Sequence, residues 1–109
     1  MLAAEVRKRI EREIGEDWTR SSLRGVDLRR CLLWKPVLTK YTNSFFDPAK
    51  PKDKRNRKTI KLWLVLEENP IEKNGYQIVY DDGEDRFGLA YGGSFIGFYG
   101  NFINSLEGM

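Results

Sequence analysis

The stretch Tyr76-Gln77-Ile78-Val79-Tyr80-Asp81-Asp82-Gly83-Glu84-Asp85-Arg86-Phe87-Gly88-Leu89-Ala90-Tyr91-Gly92-Gly93-Ser94-Phe95-Ile96-Gly97-Phe98 decides the fold. Apolar residues alternate along it, and two turn signals divide it. Asp82-Gly83 is a type I′ hairpin signal, because that turn needs residues that tolerate positive φ. As a two-residue loop it sets Asp81 opposite Glu84, Val79 opposite Arg86, Ile78 opposite Phe87 and Tyr76 opposite Leu89. Gly92-Gly93 is a second such loop, with Tyr91 opposite Ser94, Leu89 opposite Ile96 and Phe87 opposite Phe98. Taken separately, the two turns gather Tyr76, Ile78, Phe87, Leu89, Ile96 and Phe98 on one face, an agreement that a one-residue slip would destroy. The opposite face carries Val79, Gly88, Ala90, Phe95 and Gly97. Gly88 then lies across from Gly97, and the missing side chains predict a bend in the sheet, a docking helix or a ligand.

Outward from this core, the tail reads as a short helix capped by Asn101 and ended by Gly108, with Phe102, Ile103 and Leu106 facing inward. Thr59–Glu67 reads as a strand whose core face is Ile60, Leu62, Leu64 and Leu66. Trp63 and Val65 predict cover on its other side as well, and Asn69-Pro70 ends it. Residues 31–41 alternate in the same way. Pro36 cannot donate a ladder hydrogen bond and places that strand at an edge. At the other end of the chain, Leu2, Val6, Ile10 and Ile14 form one helical stripe, with Gly15 as the terminating residue. Glu5–Arg9, Arg7–Glu11 and Arg9–Glu13 are opposite charges at helical spacing. Between helix and strands, Leu23, Leu28 and Leu33 are spaced in a way that resembles the pentapeptide-repeat family. That spacing covers at most three units, too few to bury the faces of a solenoid, and no function is carried over from it.

The fold class that follows is α+β: an N-terminal helix, an irregular connection, a five-stranded antiparallel meander able to curl toward a small barrel, and a short C-terminal helix. With 109 residues and 12.8 kDa, residues 1–109 make a single domain. Residues 44–58 form an exposed basic loop within it. At 40% hydrophobic and 32% charged, the composition is that of a folded globular chain, with no apolar run long enough to span a membrane. The opening MLAAEVRKRI carries charges where a signal peptide needs an apolar segment. One cysteine, Cys31, rules out an internal disulfide and fits a reducing, cytoplasmic compartment. No histidine is present, which removes imidazole acid–base chemistry and His-based zinc sites. Cys31 adjoins Arg29 and Arg30, but with no histidine partner it reads as a buried small residue.

Charge divides unevenly. Residues 1–58 hold 16 Lys or Arg against 8 Asp or Glu, whereas residues 59–109 hold 3 against 8. The densest basic run is Lys50-Pro51-Lys52-Asp53-Lys54-Arg55-Asn56-Arg57-Lys58, which cannot bury itself. The acidic counterpart is Asp81, Asp82, Glu84 and Asp85 at a hairpin tip. Those four carboxylates lack the alternating ligand spacing of a calcium loop, and the glycines after Tyr91 lack the Lys-Ser/Thr of a phosphate loop.

These residues predict a small non-enzymatic cytosolic protein that binds a macromolecular partner, a protein, in an interaction, inhibitor or immunity-type role. The partner-binding candidates are Asp81, Asp82, Glu84, Asp85, Tyr80 and Tyr99, with Trp34 a further aromatic left over from the core. The alternative is a nucleic-acid-binding small β domain. It would use Lys50, Lys52, Lys54, Arg55, Arg57 and Lys58 on phosphates and stack bases on Phe45 and Phe46. No catalytic, cofactor or metal residues are assigned, and the sequence does not fix an oligomeric state.

Overall fold

The computed structural model describes residues 1–19, 25–43 and 58–109, with Asn43 and Lys58 described by their backbone alone. Residues 44–57 of the basic loop, with Phe45 and Phe46, and Leu23 lie outside the described residues, whereas Lys58, expected in that loop, is the first residue of a strand and pairs with Asn43. In chain order the elements are α1 (Ala3–Ile14), a one-turn α2 (Leu28–Cys31), β1 (Leu32–Asn43), β2 (Lys58–Asn69), β3 (Asn74–Asp81), β4 (Arg86–Tyr91), β5 (Ser94–Gly100) and α3 (Phe102–Glu107). Consecutive strands pair antiparallel. The sheet then curls until β1 and β5 meet in parallel at Thr42 and Ser94, closing a ring. The α+β architecture is the expected one. Among the described residues no helix is long and apolar enough to cross a membrane.

The two faces of the curled sheet carry two cores. Inside the ring, each strand supplies one buried side chain: Tyr41, Leu62, Val79, Ala90 and Phe95, backed by Ile60 and Phe98. Outside it, Ile78, Tyr80, Phe87 and Leu89 pack under the helices against Val6, Ile10, Ile14, Phe102 and Leu106. Phe87 is central here, 4.5 Å from the Tyr80 ring and 5.7 Å from Phe102.

The helix stripe is shorter than expected. Val6, Ile10 and Ile14 are buried, but Leu2 is the N-cap residue and exposed. Glu5 does not reach Arg9; its carboxylate accepts from the Leu2 amide at 3.0 Å, satisfying a donor at the helix start. The other two pairs form, Arg7–Glu11 at 2.9 Å and Arg9–Glu13 at 3.1 Å. In α3, Asn101 caps the Asn104 amide at 2.7 Å. The Leu28 and Leu33 spacing builds no solenoid, since Leu28 opens α2 and Leu33 lies in β1.

Three register assignments need correction. The β3–β4 turn holds four residues, 82–85, so that Asp81 faces Arg86, Tyr80 faces Phe87 and Ile78 faces Leu89. Side chains select this longer turn. Asp81 accepts from the Gly83 amide at 3.1 Å and from Arg86 Nε at 3.3 Å, and Asp85 rather than Gly83 takes the positive φ. The shift is by two residues, so every side chain keeps its face. In β5 the ladder slips between Leu89 and Ala90, pairing Leu89 with Gly97 and Gly88 with Phe98. That extra residue turns Ile96 out to solvent and Phe98 toward the ring interior. In β2 a slip between Leu64 and Leu66 breaks the expected single core face: Leu62 points into the ring, whereas Val65 and Leu66 both join the outer core.

The predicted bend is present at Gly88. A Cβ built there would lie 2.4 Å from the carbonyl oxygen of Gly97. The β4 and β5 backbones therefore approach more closely than any side chain allows, which lets the sheet curl tightly enough to close.

Candidate functional site

The acidic tip is engaged by the chain itself. Asp85 accepts from the Tyr80 hydroxyl at 2.6 Å and from Arg9 Nε at 3.0 Å. Those bonds, the one from Tyr80 foremost, hold its carboxyl below the usual carboxylate range. Asp81 pairs with Arg86, and Asp82 accepts from the Trp63 indole N–H at 3.3 Å. Only Glu84 has no such partner among the described residues. Tyr80, expected as a surface residue, is 1% exposed, and burial with the bond to Asp85 pushes its hydroxyl up to about 12. It supports the tip from beneath. Tyr99 is exposed, with its ring beside Gly108. No group of three or more Cys, Asp or Glu among the described residues could hold a metal ion. The Cys31 thiol is buried, donates to the Glu68 carbonyl at 3.6 Å and is pushed up by that burial, so Arg29 and Arg30 do not activate it.

A second surface is built on α1 and β1. Trp34 is 86% exposed, the most exposed large apolar side chain among the described residues. It is nonetheless positioned. The Arg7 guanidinium lies 5.4 Å from the centre of the Trp34 ring and 5.4 Å from that of Trp18. Arg7 is fixed in turn, donating to the Leu33 carbonyl and to Glu11, each at 2.9 Å. Ala3 and Ala4 are too small to fill the space before Trp34, leaving a groove of about 360 Å³ between α1 and β1 with Lys8 and Lys35 on its rim.

The strand beside this groove has an open edge. Its ladder to β2 jumps from Leu32–Leu66 to Val37–Leu64, so residues 33–36 pair with nothing in β2. On its other side, among the described residues, β1 pairs with β5 only where the Thr42 amide donates to Gly93, at 2.9 Å. From Val37 to Asn43 the register to β2 is unbroken, so backbone groups alternate strictly between the two sides. The side that Thr42 uses is therefore also that of Lys40 and Leu38. Pro36, the residue that predicted an edge strand, closes this run. Val37 and Leu38 are 52% and 50% exposed.

Apart from Glu11, which lines the groove and is paired with Arg7, the charge here is positive. Lys40 sits directly across from Lys61, both exposed. Like charges in that position destabilise a sheet. Neither they nor Lys8 and Lys35 form an ion pair among the described residues.

Among the described residues, two buried side-chain polar atoms inside the ring have no hydrogen-bond partner, the Tyr41 hydroxyl and Gln77 Oε1. Burial, then the nearby Glu67 carboxylate, pushes the Tyr41 hydroxyl well up.

The sequence reading passed over Arg7 and Trp18 and kept Trp34 only as a leftover aromatic. The available signal was Pro36 within the apolar run Leu32–Leu38, which marks a strand that cannot be fully covered. No family model, curated protein or solved structure matches this chain.

Proposed function

We propose that this chain is a small recognition domain that binds a protein partner through the β1 surface around Trp34 and performs no chemistry of its own. An interaction, inhibitor or immunity-type role suits it. The observation that carries the reading is the pairing of an exposed Trp34 with an immobilised Arg7. A tryptophan open to water gains nothing by burial in its own fold. The Arg7 guanidinium 5.4 Å from its ring favours one placement of the side chain, which lowers the freedom lost on binding, and Trp and Arg dominate the energetics of protein interfaces. The acidic tip, the first choice from sequence, is a poorer surface because its carboxylates are already bonded within the chain. A buried, unactivated thiol agrees with a non-catalytic role in a reducing cytoplasm.

The test is capture from native lysate by the immobilised chain, with and without nuclease, beside the Trp34→Ala variant. A protein identified on the wild-type matrix, retained after nuclease and lost from Trp34→Ala, supports the proposal. Capture that nuclease abolishes and Trp34→Ala leaves untouched overturns it, and returns the function to nucleic-acid binding through Lys50–Lys58.

A further inference from the structure

We infer that the occupant of this surface is an extended, acidic segment of another protein, which adds to the ring as a strand along the free edge of β1. The inference rests on reading β1 as the partner surface and goes on to name what lies there. Three observations carry it.

The first is the backbone. The edge side of Leu38 and Lys40 presents amides and carbonyls with no partner among the described residues. Pro36 ends that run at one side and the Thr42–Gly93 bond ends it at the other. An extended peptide satisfies such groups by pairing with them, and the run admits only a short strand. The second is the groove before Trp34, about 360 Å³ and walled by Ala3 and Ala4. That is room for one large apolar side chain. It lies four positions along β1 from Leu38, roughly 13 Å in extended chain, within reach of the same short segment. The third is charge. Lys8, Lys35, Lys40 and Lys61 lie around the edge without ion-pair partners among the described residues, and Lys40 and Lys61 repel each other across the β1–β2 ladder. Carboxylates on an added strand relieve that repulsion and speed encounter.

A second copy of this chain is a poor occupant. Self-pairing through the edge-facing groups of Leu38 and Lys40 would bring Lys40, with the adjoining Lys35 and Lys61, of both copies to one seam, placing like charges together. Nucleic acid satisfies the lysines but leaves the edge amides, and an apolar groove sized for a side chain, without complementary groups.

The test uses the full chain and a phage-displayed library of hexapeptides, with binders to Trp34→Ala removed beforehand. Enriched peptides should combine Asp or Glu with one large apolar residue. Binding, read by fluorescence anisotropy on the synthetic peptide, should fall about tenfold or more in the Lys40→Glu/Lys61→Glu variant. It should also fall about tenfold or more when alternate amides of the peptide are N-methylated, since that removes strand pairing and leaves the side chains in place. Enrichment of basic peptides, indifference to N-methylation, dimerisation of the chain alone in sedimentation, or tighter binding of a (dT)12 oligonucleotide than of any peptide each overturns the inference. So does a failure to enrich any peptide. If a lysate protein still depends on Trp34 in that case, the partner surface stands and only the added strand falls.

Discussion

Arg9 of α1 donates to Asp85 of the β3–β4 turn at 3.0 Å, joining residues 76 positions apart. The contact belongs to a chain of polar bonds. Tyr80 donates to the same Asp85 oxygen, Arg9 also holds Glu13 at 3.1 Å, and Glu13 accepts from the Ile103 amide at 3.1 Å. Turn, first helix and last helix are thereby registered over the outer core. The carboxylates that looked like a partner site in the sequence are in part the fastening of the fold.

Asp85→Asn tests that fastening through pH. The folded-state carboxyl of Asp85 lies below its ordinary value, so its contribution is fully present above the unfolded pKa of about 3.9. The contribution is lost as pH falls through the lower folded pKa. Urea midpoints of wild type and variant should differ at pH 6 and converge toward pH 3. The Asp85 side chain is 61% exposed, which screens the gap to about 1 kcal/mol or less at neutral pH. A gap that does not vary across this range would show that Asp85 acts through turn geometry alone.

Leu89 and Ile96 separate the observed register from the one read off the sequence. Leu89 is 2% exposed in the outer core, whereas Ile96 is 45% exposed. Leu89→Ala should cost about 2–5 kcal/mol, and Ile96→Ala about 0.5 kcal/mol or less. Similar losses from both, measured by chemical denaturation, would put the two side chains back on one buried face.

Gly88→Ala and Gly97→Ala differ by one methyl group at neighbouring points of β4 and β5. At Gly88 the methyl meets the Gly97 carbonyl oxygen, and at Gly97 nothing lies within 4 Å. Gly88→Ala should cost about 2 kcal/mol or more through forced separation of the two backbones, while Gly97→Ala should fold with nearly wild-type stability. Thermal unfolding of both variants decides it, and a tolerated Gly88→Ala would show that the ring closes without the close approach.

Tyr41→Phe removes a hydroxyl that has no well-formed hydrogen bond among the described residues, Thr39 being the nearest candidate. Deleting an unsatisfied buried polar atom should leave stability unchanged or raise it by up to about 1 kcal/mol. A loss of more than about 1 kcal/mol in a denaturant titration would mean that the hydroxyl is bonded in solution, through a trapped water reaching Glu67 or Gln77.

Faces were more legible in the sequence than pairings. Ile78, Phe87, Leu89, Phe102 and Leu106 were assignable to the core because alternation and helical spacing set which way a side chain points. The length of the 82–85 turn was not, because Asp81, Tyr80 and Asp85 choose it by hydrogen bonds that appear only after folding. The slips in β2 and β5 were illegible for a similar reason: each inserts one residue to bend the sheet, and bending answers to ring closure rather than to local pattern. The tip carboxylates and Tyr80 looked available because their partners Arg9 and Arg86 cannot be inferred from charge alone. Pro36 did mark the strand whose edge at Leu38 and Lys40 has no strand partner among the described residues. The arginine beside Trp34 comes from a different element, α1, and no spacing rule links residues 7 and 34.

The ring is fastened where Thr42 meets Ser94, two residues half the chain apart. Until β5 docks, the β1–β2 pair is a ribbon with two unpaired strand edges. Its inner residues Tyr41 and Leu62 stay wet until Phe95 packs among them. Pro36 and the lysines at 35, 40 and 61 are residues of the kind that keep such an edge from pairing with a second unfolded copy of the chain.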